Sequence, residues 1–311
     1  MNISTPAIEL KKMEKWYGKI NAVKPLDLVI NSGETFGLLG PNGSGKSTII
    51  RAIAGLHFPT KGQIYINGKK LGEKSSELRK NISYMPQRVT IPGYLTAREV
   101  ITLYARLRNA DLKRVDELLD YVELTENADR YTREYSGGML QRIGLAIAFL
   151  SDSDIYILDE PTLNLDPLGT NRFREMIQGL KKKGKTILFS SHILEDAVQL
   201  ADRVGILVEG QMVKIESIPD FKEEIHQETT VRIKLLGKLN GIQGIIEKAG
   251  AISVSCNGRS CIFKAAPDRR LSVIRAIESA GGVVNEFHTE PPDWESLLHR
   301  HFNNYGGSDS N

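Results

Sequence analysis

Nine consecutive residues, Gly40-Pro41-Asn42-Gly43-Ser44-Gly45-Lys46-Ser47-Thr48, have the types and spacing to hold a polyphosphate. They fit Gly-x-x-x-x-Gly-Lys-Ser. In that pattern backbone N–H groups close on an anion, the lysine adds a point charge near the β- and γ-phosphates, and the serine hydroxyl is placed to ligate Mg²⁺. The apolar run Thr35–Leu39 before it reads as a buried strand, and Ser47–Ala54 after it is good helix material. A strand feeding a helix through a glycine turn aims the positive end of the helix dipole at the same spot. A chance lysine in a glycine-rich turn would lack that context.

Three other places carry chemistry. Asp159-Glu160 ends the apolar run Ile155–Asp159, so two carboxylates emerge together at the end of a core strand. Asp159 suits Mg²⁺, directly or through water, and Glu160 is placed to polarise an attacking water. Tyr135-Ser136-Gly137-Gly138-Met139 opens a helical pattern. Ser136 can cap that helix, and the two glycines leave amides exposed to an anion. His192 directly follows a core strand. By itself it would be a solvated loop histidine; beside the other groups it is a site candidate.

These groups need elements to position them. Ala7–Trp16 and Val23–Ile30 read as strands, with Tyr17-Gly18 between them. Gly62–Ile66, the turn Asn67-Gly68 and Lys69–Leu71 read as a hairpin. Ile82–Met85 is a short strand that ends at Pro86-Gln87. From Thr96 to Leu150 the pattern is helical: Thr96 and Glu99 make a capping box, Val100, Leu103, Tyr104 and Leu107 share one face, and Leu112–Leu124 and Met139–Leu150 follow as further helices. The strand–helix alternation resumes with Ile155–Asp159, Pro167 to about Lys182, Thr186–Ser190, Leu194–Leu200, Arg203–Val208 and Gln211–Ile215. Apolar strands alternating with helices predict a largely parallel sheet covered by helices, with the helical block inserted between strands.

From about Phe221 the order is different. Thr230–Leu236, Gly241–Ala249, Ile252–Cys256, Ser260–Ala265, Arg269–Ala280 and Val283–His288 read β-α-β-β-α-β, a ferredoxin-like arrangement. Ile246-Glu247-Lys248-Ala249-Gly250-Ala251-Ile252 repeats as Ile277-Glu278-Ser279-Ala280-Gly281-Gly282-Val283. A last helix is expected over Asp293–Phe302, then a polar, glycine-rich tail from Asn303 that reads as disordered. Cys256 and Cys261 could face each other across a hairpin and bind a soft metal or form a strained disulfide; two partly buried thiols are the favoured reading.

Composition excludes some classes. The net charge of +3 is too small to argue for nucleic acid. Lys181, Lys182, Lys183 and Lys185 read as a solvated helix C-terminus closed by Gly184 rather than a binding patch. The two cysteines make no disulfide framework, which suits a reducing compartment. The longest apolar run, Ile143–Leu150, is far short of the roughly 18 residues that span a bilayer.

Taken together, residues 7 to 217 resemble the nucleotide-binding subunit of an ABC (ATP-binding cassette) transporter. The resemblance rests on the phosphate loop, Tyr135–Met139, Ile155–Glu160 with Pro161-Thr162, Leu165-Asp166-Pro167 and Ser190-Ser191-His192. It implies a P-loop α/β core with an antiparallel β subdomain and a helical subdomain at about 88–150, within a nucleotide-binding domain over 1–220; the β-α-β-β-α-β order makes 221–302 an accessory domain, and the polar composition makes 303–311 the tail. It implies that Tyr17 stacks on adenine (Trp16 being the alternative platform), that Gln87 reaches Mg²⁺ and the water, and that His192 contacts the γ-phosphate. It implies an ATP-dependent homodimer in which Ser136, Gly137, Gly138 and Asp166 act across the interface, a separate integral membrane permease, and a place on the cytoplasmic face of the membrane. Pro292–Leu298 resembles the closing segment of exporter ATPases, which leans the expectation to export. Two departures stand out: the signature has Tyr135 and Met139 where leucine and glutamine are usual, and Leu163-Asn164 replaces a small residue and glycine before Asp166. The rival readings are a soluble ABC-type ATPase of translation or DNA repair, and a regulatory module that senses nucleotide; the single phosphate loop and the intact Glu160 weigh against them.

Overall fold

The first unit opens with two long strands, β1 (Ile8–Tyr17) and β2 (Ile20–Ile30). Burial alternates over Ile8–Leu10 and Leu26–Ile30, and the alternation breaks where the β1–β2 register shifts after Leu10, with Lys12 at positive φ. The computed structural model describes residues 5–290. It divides between Glu216 and Ser217 into two units.

β3 (Thr35–Leu39) is buried at all positions, as its unbroken apolar run requires of a strand covered on both faces. It feeds α1 (Lys46–Ile53) through the glycine loop. β4 (Lys61–Ile66) and β5 (Lys69–Lys70) form the expected hairpin, with Asn67 and Gly68 both at positive φ, the geometry that matches strand twist. A short helix, α2 (Ser76–Lys80), leads into β6 (Ile82–Met85). The helical block holds α3 (Ala97–Leu107), α4 (Arg114–Tyr121) and α5 (Gly137–Ala148). The Thr96–Glu99 capping box is present in both directions. α4 is shorter than its apolar pattern suggests, since Glu123 takes a positive φ just beyond it. Then come β7 (Ile155–Leu158), α6 (Pro167–Lys182), β8 (Thr186–Ser191), α7 (Leu194–Leu200), β9 (Arg203–Val208) and β10 (Gln211–Ser217).

Two sheets result. The antiparallel one runs β2-β1-β4-β5, and the other runs β10-β9-β3-β8-β7-β6, with β9, β3, β8, β7 and β6 pairing parallel. The register aligns Leu39 with Ser191, Phe189 with Leu158 and Leu158 with Met85. The loops that leave the carboxyl ends of β3, β8, β7 and β6 therefore start side by side, although they come from four distant parts of the chain. Of the lysines around the C-terminus of α6, Lys181 pairs with Asp202, and Lys185 with Asp152 and Asp154.

The second unit begins with α8 (Ile218–Glu228), a helix beyond those expected from the sequence. Its signal was there in Ser217, whose hydroxyl caps Asp220, with Pro219 in the first turn. β11 (Thr230–Leu235), α9 (Ile242–Lys248), β12 (Ile252–Asn257), β13 (Ser260–Lys264), α10 (Pro267–Ser279) and β14 (Val284–Glu290) complete it. The sheet runs β12-β13-β11-β14, antiparallel throughout. Val231, Ile233, Phe263, Ile246 and Ile277 form its core; the last two are equivalent positions of the internal repeat. Cys256 lies directly opposite Cys261 and is joined to it by a disulfide, which corrects the expectation of two thiols. The reason is register: Asn257 pairs with Ser260 around the Gly258-Arg259 turn, so the next pair outward brings the two sulfurs together. The helix over Asp293–Phe302, the tail and Pro292–Leu298 lie outside the described residues.

Candidate nucleotide-binding site

The phosphate loop is built where only glycine fits. At Gly45 (φ 106°) a Cβ would stand 2.6 Å from the Ala22 carbonyl oxygen, and at Gly40 it would stand 2.2 Å from that of Leu207. Gly45 caps α1 without a side-chain hydrogen bond, so the first-turn N–H groups face the loop interior. Lys46 is buried beneath it. Its ammonium donates to the carbonyls of Gly40 at 2.7 Å and Pro41 at 3.1 Å, and lies 3.2 Å from Glu160 Oε1.

Asp159 and Glu160, also buried, diverge from the end of β7. Asp159 Oδ1 accepts from Ser47 Oγ at 3.1 Å and Ser190 Oγ at 2.8 Å. Its Oδ2 is buried and has no hydrogen-bond partner among the described residues. Burial pushes the Asp159 carboxyl above its ordinary range, against the two serine hydrogen bonds. Glu160 Oε2 lies 2.8 Å from His192 Nδ1. The carboxylate is thus held between Lys46 and His192. Breaking a buried ion pair of this kind by removing one partner typically costs about 3–5 kcal/mol. Glu160 takes a left-handed backbone (φ 49°), which for such a residue costs on the order of 1–3 kcal/mol and turns the chain sharply after β7.

A cleft of about 610 Å³ is lined by Asn42, Gly43, Ser44, Gly45, Lys46, Ser47, Thr48, Gln87, Glu160 and His192. Tyr17, Gly40, Pro41, Ser136, Gly137, Gly138, Asp159 and Asp166 do not line it. It also includes Ile20, Asn21, Ala22, Leu163, Glu209 and Gly210, which sequence reasoning did not select. Glu209-Gly210 reads in sequence only as a turn. In space the Gly210 N–H donates to the Ser44 carbonyl and its own carbonyl accepts from Lys24, so the turn buttresses the phosphate loop. A larger groove of about 860 Å³ lies over the antiparallel sheet; of its charged side chains, Lys11 pairs with Glu9 and Lys61 with Glu14, and Asp27 accepts from the Lys12 backbone N–H.

Comparison with known proteins agrees with this geometry. Residues 23–163 match the family described as ABC transporter. The linearmycin resistance ATP-binding protein LnrL of Bacillus subtilis is 33% identical over 74% of this chain and 75% of its own length. The daunorubicin resistance ATP-binding protein DrrA3 of Streptomyces coeruleorubidus is 30% identical over 88% of this chain and 89% of its own. A dimeric ATP-binding cassette solved in a post-hydrolysis state with ADP and phosphate is 29% identical, with a TM-score of 0.63 over 68% of this chain and 98% of that one.

The chain is an ATP-binding subunit of the ABC transporter family. Its first unit has the α/β cassette fold of that family, and the subunit is an ATPase. Subunits of this kind dimerise and work with membrane components. None of the relatives named above is a translation or repair ATPase, and among the described residues no helix is long and apolar enough to cross a membrane.

The signature-like segment of this ABC subunit lies at the start of α5. Ser136 is exposed, and its hydroxyl accepts from the Met139 N–H at 3.2 Å. Tyr135, the first departure, is buried and reaches the Asn127 carbonyl through its hydroxyl, so the larger ring is accommodated without an orphaned polar group. Asn164, the second, takes a left-handed backbone (φ 62°), and asparagine is the residue that best replaces glycine there. A Cβ at Gly138 would lie 2.7 Å from the Asn164 carbonyl oxygen, so these two segments meet within one chain. Asp166 caps α6 through the Gly169 N–H and accepts from Arg142 Nη2 at 2.7 Å. The Arg142 hydrogen bond, then that of Gly169, holds its carboxyl below the ordinary range. The indole of Trp16 donates to Glu14, while Tyr17 stands edge-on to His57 and remains substantially exposed.

Proposed function

We propose that this subunit hydrolyses ATP in the cleft above α1 and drives export through a separate integral membrane permease, from the cytoplasmic face of the membrane. The observation that carries the proposal is Glu160, fixed between Lys46 and His192 at the carboxyl edge of the sheet. In this reading the amides of 42–48 and the Lys46 ammonium take the β- and γ-phosphates. Glu160 orients the attacking water and takes its proton, His192 contacts the γ-phosphate, and Gln87 reaches the water from the end of β6. The buried Asp159 Oδ2, beside the Ser47 hydroxyl, fits a small oxygen-preferring cation. Ser47, Asp159 and Gln87 would hold Mg²⁺, which supplies charge neutralisation at the phosphates when bound. Tyr17 is the adenine platform, since the Trp16 indole is tied to Glu14.

Ser136, Gly137, Gly138 and Asp166 lie outside the cleft of their own chain and serve the cleft of a second copy. A nucleotide bridging two surfaces makes closure depend on its own γ-phosphate, and hydrolysis removes the bridge. Export is supported by the resistance functions in the names of both relatives. We read the second unit, which begins at Ser217, as a ferredoxin-like accessory domain that supports or regulates the dimer. The alignment with the daunorubicin resistance protein extends over 283 residues, beyond the cassette. The small net charge argues for no nucleic-acid partner.

The test is Glu160→Gln, which keeps shape and removes the base. ATP binding should survive, turnover should fall at least about a hundredfold, and an ATP-bound dimer should accumulate in size-exclusion chromatography. Near-normal steady-state hydrolysis would sink the assignment. Co-purification of a polytopic membrane protein with the tagged chain tests the transporter role.

A further inference from the structure

We propose that Gln141 is a positioning residue for Glu160. The inference rests on the reading of Glu160 as the hydrolytic base and adds the group that holds it. Gln141 lies within α5, buried, and it does not line the nucleotide cleft. Its Nε2 donates to the Glu160 carbonyl at 3.1 Å and to the Pro161 carbonyl at 3.3 Å. On the other side, the Glu160 N–H donates to Ser190 Oγ at 2.8 Å, and that hydroxyl in turn donates to Asp159 Oδ1. Both peptide groups flanking the Glu160 Cα are therefore fixed by side chains from other elements.

That matters because Glu160 sits at φ 49°, a conformation it does not hold by local preference. Relaxation of the backbone would swing the carboxylate off the line between Lys46 and His192. Only a glutamine-like side chain does this from α5. It must carry N–H donors, be neutral in a buried site, and reach two adjacent carbonyls. An apolar replacement leaves both carbonyls without that donor. α5 also carries Ser136 at its N-cap, so one rigid helix bears both the signature serine and the anchor of the carboxylate.

The experiment is a double-mutant cycle on the full chain: Gln141→Leu and Gln141→Met, each alone and combined with Glu160→Gln. In the wild-type background kcat should fall about tenfold, the effect of leaving buried carbonyls without their donor. KM for ATP and the affinity for a fluorescent ATP analogue should stay within about twofold, because Gln141 does not itself line the cleft and meets Glu160 only through its backbone carbonyl. With Glu160 already replaced, the same substitution should change the residual turnover by less than about twofold, since the group it positions is gone. Gln141→Met, unbranched and of similar volume, serves if Gln141→Leu does not fold. Wild-type kcat in the Gln141 variants overturns the proposal. An equal loss in both backgrounds also overturns it and assigns Gln141 to general packing. Normal turnover by Glu160→Gln alone would instead remove the base assignment, whatever Gln141 does.

Discussion

The two units bury different things. In the first, Lys46, Asp159 and Glu160 are all withdrawn from water at one sheet edge, and Glu160 and Asn164 both take left-handed backbones there. In the second, the buried residues are apolar, with Thr229 the one polar exception among the described residues. Its cross-strand ion pairs, Arg232–Glu290 and Lys234–Glu286, lie at the surface, where such pairs contribute little. Desolvating a charge costs several kcal/mol even after relaxation. Among the described residues, only the first unit bears that cost.

The sharpest way to break this contrast is to alter an exposed residue of the first unit. Ser136→Arg should bind ATP as the wild type does yet lose turnover by about a hundredfold or more, because the two clefts can no longer close to a reactive geometry. Sedimentation of the ATP-dependent dimer checks it. Mixing with Lys46→Ala should restore at most one competent cleft. A lower ATP affinity in monomeric Ser136→Arg would show that the segment serves its own cleft.

A smaller effect, confined to the second unit, sharpens the contrast. The disulfide closes a loop of about six residues, which in the chain-entropy account is worth about 2 kcal/mol. For a unit of this size that corresponds to a drop of roughly 10 °C in melting temperature. Reduction, or Cys261→Ser, should therefore lower the melting transition of a fragment starting at Ser217, as read by calorimetry. ATP binding by the full chain should be unchanged within about twofold. An ATP-dependent rise in the fragment's melting temperature would break the comparison.

The smallest effect concerns the cost of buried charge. Burial raises the Asp159 carboxyl above its ordinary range. Below the ordinary aspartate value, folded and unfolded chains both hold the proton and the residue carries no penalty. As pH rises, the unfolded chain loses its proton first, so the penalty grows and is complete above the folded value. Asp159→Asn should thus raise the melting temperature of the apo protein at neutral pH, with the gain fading as pH falls through the carboxylate range. ATPase activity should be lost at the same time. A gain that persists at acid pH would assign the cost to something other than charge.

What the sequence determined by itself is what neighbouring residues decide among themselves. The phosphate loop, the Thr96–Glu99 capping box, the Asn67-Gly68 turn and the apolar strands are legible because their hydrogen bonds or periodicities close within a few residues. The same holds for the chemistry carried by residue type, such as the Asp159-Glu160 pair. Tertiary structure alone decided which of these groups meet. Lys46 and Glu160 lie over a hundred positions apart in sequence and 3.2 Å apart in space. Gln141 shows no motif spacing to Glu160, and Asp166 looks like a lone acid until Arg142 folds against it. Glu209-Gly210 supports the phosphate loop only because β9 lies beside β3. The disulfide needed a register that depends on one turn. Strand order and register arise from packing summed over a whole sheet, and no stretch of a few residues contains that sum.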